Sequence, residues 1–430
     1  MLLMPVASTD GQTTAVVSGV ASAVGGISID ADGLLSNATV DQLGELGNLR
    51  RQAFQKVPDA LKSVSDMREV SLKRVSAAIE ECLKAKKPLP DSIRYLAGLQ
   101  RIQYVFVYPE DKDIVLVGPG EGWKVDATGN VVGITTNRPV LLLDDLLVAL
   151  RTAREAAKGG ITCSIDPTPD GLARLQQIPI VRGADPKEMA AAYEKAMGMQ
   201  MISLHGVPET SHFARVLVAA DYRMKRIAMG FDPSPVRGLP SYLQMVRPSR
   251  TIASSPRFWL EPEFAALLCD ADGLAFELGG SSVKAMTEAD YIAATGAIQH
   301  SGKANPQAQR WADLMTQHYA ELAVVDPIFG QLQNCMELAV VGAIVARNHL
   351  SEKAGGDFAS LAGASSLRPD VFPTPKQTPS IASIKGRIVT VSGGVAINSW
   401  RFAEKVKVSE NVASTRAKAA FADNSAWWRN

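Results

Sequence analysis

The sequence predicts a mixed α+β fold: several β-hairpins packed with amphipathic helices, followed by a C-terminal arm and hairpin. Three observations carry this prediction. An Asp-Ala-x-Gly turn recurs between short apolar runs at 30–33, 126–129 and 270–273, where glycine supplies the positive φ that a tight hairpin needs. Between these turns lie long segments whose apolar residues repeat at helical spacing. The 430 residues are 46% hydrophobic and 21% charged, a globular balance that rules out whole-chain disorder. The intervals between the three turns, about 96 and 144 residues, are too irregular for a repeat array, so they read as separate hairpins.

Taken in order, residues 26–36 form the first hairpin. Ser71 caps a helix running to Lys86, with Leu72, Val75, Ile79, Cys82 and Leu83 as its apolar stripe and Pro88 and Pro90 to stop it. A short helix at 91–99 leads into Arg101–Tyr108 and Asp113–Val117, the strongest hairpin in the chain. Gly118–Lys124 is Gly-rich and ends in Lys, but it lacks the Walker spacing and the hydroxyl after Lys, so it is read as a turn. An apolar run, Val140–Leu143, precedes a helix that begins at Asp144 or Asp145 and is ended by Gly159-Gly160. A buried strand at 161–165 and a Pro-rich turn follow. Next come a helix at 185–197, a strand at 199–204 and a long helix at 209–229. A Pro-rich crossing over 232–262 reaches the third hairpin, and helices at 306–322 and 327–350 each carry Pro near the first turn. Residues 351–380 lose their periodicity to Gly, Ser and Pro and read as a linker or extended arm. Arg387–Ile397 alternates about Gly393-Gly394 and is predicted to be a hairpin. The resulting division is an N-terminal segment at 1–25, flexible or strand-like, an α+β domain at 26–160, a second α/β domain at 161–350, the arm at 351–380 and a basic hairpin and tail at 381–430.

Lys plus Arg total 45 and Asp plus Glu total 44, a formal +1. That balance argues against nucleic-acid binding through overall charge. The ends are polarised. Residues 1–49 hold five acids and no Lys or Arg, while residues 381–430 hold eight bases against three acids, and such ends can pair head to tail between copies. The tail ends in Trp427-Trp428, which need somewhere to dock on this chain or another. Together with Arg401, Lys405 and Lys407, they make the tail a candidate interface, and the expected partner is a second copy of the chain. No apolar run reaches the ~20 residues of a membrane helix, so Leu338–Ala346 is read as a buried core helix. The N-terminal apolar stretch lacks a basic flank, so no intact secretory signal is read.

Candidate chemistry is sparse. Cysteines 82, 163, 269 and 335 have no metal-like spacing, the paired turn aspartates lack the ladder of a calcium loop, and neither a metal nor a cofactor is expected. His318 shares a helical face with Trp311, Leu314, Met315 and Leu322 and reads as a core histidine. Ser203 and His205 fall on one face of a strand and are the candidate catalytic pair, with no Gly-x-Ser-x-Gly elbow around the serine. His212 and Asp221, nine positions apart on one helix, cannot meet within it. Arg215, Tyr222, Arg223 and Arg226 would line one exposed helix face, a candidate anion or partner site.

The stretches LPDSIRYLAGLQRIQYVFVYPEDKDIVLVGPGEGWKVDATGNVVG (89–133), CSIDPTPDGLARLQ (163–176), VLVAADYRMKRIAMG (216–230), DADGLAFEL (270–278) and GKANPQAQRWADLMT (302–316) resemble the planctomycete proteins of domain-of-unknown-function family 1598. The resemblance spans about residues 26–350. It implies no activity or site residue. It does imply a cell-envelope or exported location, since members often carry a signal peptide ahead of the first hairpin. These readings give a non-enzymatic protein that works through protein–protein contacts, as a structural or assembly subunit of a homo-oligomer. The alternatives are a hydrolase using Ser203 and His205, or a small-ligand-binding protein.

Overall fold

The computed structural model describes residues 27–29, 33–37, 48, 51–52, 54, 56–179, 185–246, 255–280, 282–292, 298–300, 302–362, 367–384, 388–389, 391–419 and 426–430. The fold is mixed α+β, as the sequence predicts. Two seven-stranded sheets dominate it. The first runs in the order Ile298–His300, Ser282–Ile292, Ser255–Glu263, Ser392–Ile397, Ile161–Pro167, Met199–His205 and Gln377–Pro379. The second runs Val406–Val408, Leu267–Cys269, Ala275–Glu277, Tyr104–Tyr108, Asp113–Gly120, Ser65–Ser71 and Trp428–Arg429. Neither follows the order of the chain, and both recruit strands from beyond residue 375.

The predicted hairpins form: Ile27–Ile29 pairs with Leu35–Asn37, Trp123–Val125 with Val131–Gly133, and Leu267–Cys269 with Ala275–Glu277. In the second and third, the turn aspartate does local work. Asp126 Oδ1 accepts from the backbone N–H of Thr128 and Asn130, and Asp270 Oδ1 from those of Leu274 and Ala275. Ser71 caps Leu72–Lys84 by accepting from Arg74 N at 3.1 Å.

The predicted hairpin about Gly393-Gly394 does not form. Both glycines lie inside the strand Ser392–Ile397, which runs parallel to Ser255–Glu263 and antiparallel to Ile161–Pro167. A Cβ at Gly393 would sit 1.6 Å from the Phe258 carbonyl oxygen, and one at Gly394 1.8 Å from that of Cys163. Glycine is there for close approach of three backbones, and the chain does not reverse. Gly118–Lys124 is likewise not a plain turn: Gly118 and Gly120 finish the strand Asp113–Gly120, and Trp123 opens the next. The Pro-rich segments also hide structure. Pro169–Gln176 is a helix capped by Thr168, and Ser255–Glu263 is a nine-residue strand paired along its length with Ser282–Ile292.

Three helices make the interior. In the central helix, His212–Met229, every residue except Arg223 and Arg226 is buried. It packs between the first sheet and the helices Leu143–Ala156 and Pro327–Arg347. Pro327–Arg347 is long and apolar enough to cross a membrane by those criteria alone, and 94% of its most apolar window is buried within the protein. Its mid-helix Glu337, fully buried, is matched by Arg101 and by the backbone N–H of Ile102 at 3.1 Å.

The described residues of 351–380 are seated on the body. Phe358, Leu361, Leu367 and Phe372 are buried, and Arg151 donates to the carbonyls of Ser360, Leu361 and Leu367 at 2.9–3.1 Å. The predicted helix at 306–322 breaks at His318, the joint between Pro306–Gln317 and Tyr319–Val325, leaving that imidazole partly exposed beside Glu321 rather than in the core.

Candidate functional site

The site is built from a helix start, a helix cap and the arm. Leu143–Ala156 begins with Asp144 and Asp145 in its first turn, where carboxylates suit the positive end of the helix dipole. The central helix begins at His212 because Ser211 caps it, accepting from Ala214 N at 3.1 Å. The two helix starts converge. His212 Nδ1 lies 2.9 Å from Asp145 Oδ2 and 3.1 Å from Oδ1, with both side chains buried. With Nδ1 engaged by the carboxylate, Nε2 is the ring nitrogen left to a bound molecule. Cys335 also hydrogen-bonds Asp145, and burial together with that carboxylate pushes its thiol well above the usual range, making it an inert donor.

The arm closes the far side. Phe372 N donates to Thr210 O at 2.8 Å, and its ring meets His212 edge-on, 5.2 Å between centroids. Asp370 N donates to Asp144 Oδ2 at 3.3 Å, while Asp370 itself pairs with Arg94 at 3.3 Å. Burial first, then the neighbouring Asp370 and Asp145, push the Asp144 carboxyl up to about 6.

These groups line a partly open cavity of about 490 Å³, within the roughly 300–1,000 Å³ range of small-molecule sites. Phe54 and Tyr95, stacked 5.6 Å apart, contribute an aromatic wall, and Val140, Leu142 and Leu143 an aliphatic one. Gln331 donates to Asn130 Oδ1 at 3.2 Å, while its own carbonyl oxygen is buried without a partner. Among the described residues lining the cavity, none is Ser, Thr or Cys.

The sequence-derived candidates are scattered. Ser203 and His205 do share a face, but it is the exposed face of Met199–His205, opposite Ser164 and Thr162, and they line neither cavity described here. The expected exposed basic face of the central helix is overturned. Arg215 is fully buried with its guanidinium nitrogens unpaired, and desolvation pulls it down to about 10. Arg223 bridges Asp232 and Asp326 at 2.5 and 2.7 Å, and Arg226 grips Asp232 through two nitrogens at 2.9 Å. The reason is position: a helix enclosed by other elements has little face left for solvent.

Trp427 and Trp428 dock on this chain. Ser71 N donates to Trp427 O at 3.0 Å, Trp428 pairs with Val70 as an edge strand, and Arg68 lies 5.9 Å over the Trp428 ring. Arg401, Lys405 and Lys407 do come together, around a groove of about 270 Å³ floored by Phe264 and Phe402. His212 is kept from Asp221 by helix spacing. Its true partner is 67 positions away, and the one available signal was the doublet Asp144-Asp145 at a helix start.

The fold and cavity thus describe a mixed α+β protein holding a buried, carboxylate-oriented histidine in a small-molecule-sized cavity. Residues 163–242 match the family described as a protein of unknown function, DUF1598. The match is narrower than the resemblance over 26–350, and it contains His212 but neither Asp144, Asp145 nor Asp370. No curated protein and no solved structure gives a significant match.

Proposed function

We propose that this protein binds a small organic molecule in the cavity between the starts of Leu143–Ala156 and His212–Met229 and the arm. One observation carries the reading: a buried His212–Asp145 pair, with the destabilised Asp144 beside it, opens into a cavity walled by aromatic and aliphatic side chains. Buried polar groups cost stability unless partnered, and they concentrate where a ligand uses them. A fragment library scored by thermal shift tests this, with Leu142→Trp as a variant whose indole fills the cavity. Hits are expected to raise the melting temperature of the wild type and not of the variant. Equal shifts in both, or none in either, would overturn the reading.

A second reading, assembly into homo-oligomers as a structural or exported subunit, is supported by the basic groove. It adjoins Val406–Val408, the edge strand of the second sheet, where Val408 is 69% exposed. Light scattering with salt variation tests this, the expected result being a mass above one chain that falls as salt rises. A salt-independent monomer sinks it.

A further inference from the structure

Building on the reading that the cavity binds a small molecule, we infer that its occupant is a primary ammonium carried on an apolar or aromatic body. The deep end of the cavity offers acceptors. Asp145 is buried and already spends hydrogen-bonding capacity on His212 and Cys335, while Asp144 receives one long backbone bond from Asp370. Gln331 also lines the cavity, but its Oε1 is out of solvent's reach, so the acceptors open to a ligand are the carboxylates. The cationic lining residues, Arg94 and Arg368, are partly or fully at the surface, and Arg94 is matched to Asp370. The field inside is therefore negative, and the unfilled hydrogen-bonding need is for donors.

The walls select the rest of the molecule. Phe54 and Tyr95 on one side and Phe372 on the other present aromatic surface to the same space. A cation beside such rings gains further attraction from their negative faces. A carboxylate ligand would instead face Asp144 and Asp145 at close range. A neutral ligand would leave the crowding of Asp144 by Asp145 and Asp370 unrelieved, with His212 and Arg151 the positive or protonatable groups near it.

The test uses the full chain and three probes of one shape: phenethylammonium, 2-phenylethanol and 3-phenylpropionate, each measured by calorimetry at pH 7.5. Phenethylammonium is expected to bind at least about tenfold more tightly than the alcohol, which corresponds to one charge-assisted hydrogen bond. The acid is expected not to bind. Asp144→Asn should remove that preference by weakening the amine far more than the alcohol. Asp370→Asn, which removes a lining carboxylate but keeps the backbone bond to Asp144, should weaken the amine severalfold and serves if the first variant folds poorly. If the alcohol or the acid binds as tightly as the amine in the wild type, the ammonium inference is overturned and the cavity reading survives. If none of the three binds, the inference is overturned, and the fragment library decides the cavity reading separately.

Discussion

Asp144 gives the molecule a pH dependence whose direction is fixed by its surroundings. Its folded value, about 6, lies above the ordinary 3.8, so the folded chain holds that proton more tightly than the unfolded chain. The contribution to stability is complete below about pH 4 and is lost as pH rises through 6. Asp144→Asn keeps the neutral shape at every pH. The variant should therefore gain on the wild type by about 1–2 kcal/mol between pH 4.5 and 7.5, after allowance for the partly open cavity. Urea midpoints at the two pH values measure it. Arg215 presents a different imbalance, a buried cation with no partner. Arg215→Met keeps the stem and removes the charge, and it should raise stability by about 1–3 kcal/mol. A fall in the urea midpoint instead would mean that the guanidinium meets a counter-charge. Ser203→Ala and His205→Ala lie on an exposed strand face, and each should change stability by no more than about 0.5 kcal/mol.

At the level of elements, the first sheet depends on Ser392–Ile397. The strand sits between Ser255–Glu263 and Ile161–Pro167 and is pinned from the central helix, where Lys225 Nζ donates to the Ile165 and Gly393 carbonyls at 2.8 and 3.0 Å and to Asp221 at 2.9 Å. Gly394→Ala places a Cβ against the Cys163 carbonyl and should cost more than about 4 kcal/mol or leave the protein insoluble. Circular dichroism of the soluble fraction would show which. The arm is held differently, in good part by one side chain on three carbonyls. Arg151→Ala releases the grip on Ser360, Leu361 and Leu367, so limited proteolysis should cut the variant faster than the wild type at 367–372. On the small-molecule reading, the same variant should bind phenethylammonium more weakly, because the arm forms a wall of the cavity.

Over the whole molecule, the C-terminal region is structural before it is anything else. Strands from beyond residue 390 enter both sheets, one of them at an interior position. Removing 391–430 is expected to abolish folding, whereas removing 426–430 takes away an edge strand and the Arg429–Glu69 ion pair and should leave a folded chain of lower melting temperature. Assembly is therefore better tested by Lys405→Glu with Lys407→Glu, which alters the groove charge while keeping every strand. Loss of the larger species in light scattering is the outcome expected of the assembly reading.

The sequence by itself determined the local elements. Asp-Ala-x-Gly turns, the Ser71 cap and the apolar stripe of Leu72–Lys84 each need only neighbours a few positions away, and periodicity and turn chemistry report those directly. The near-zero net charge and the polarised ends are read from the same letters. Tertiary structure decided everything that depends on which element meets which. Gly393-Gly394 carries the same letters as a turn or as a close-packed strand, and the backbones of Phe258 and Cys163 decide between them. Basic residues spaced along one helix face look solvated until that helix proves to be the centre of the fold. The candidate site lay furthest out of reach. Asp145, His212 and Phe372 each have a sufficient local explanation as helix start, helix start and arm residue, and nothing short of the packed chain brings a carboxylate, an imidazole and a ring from three distant segments around one cavity.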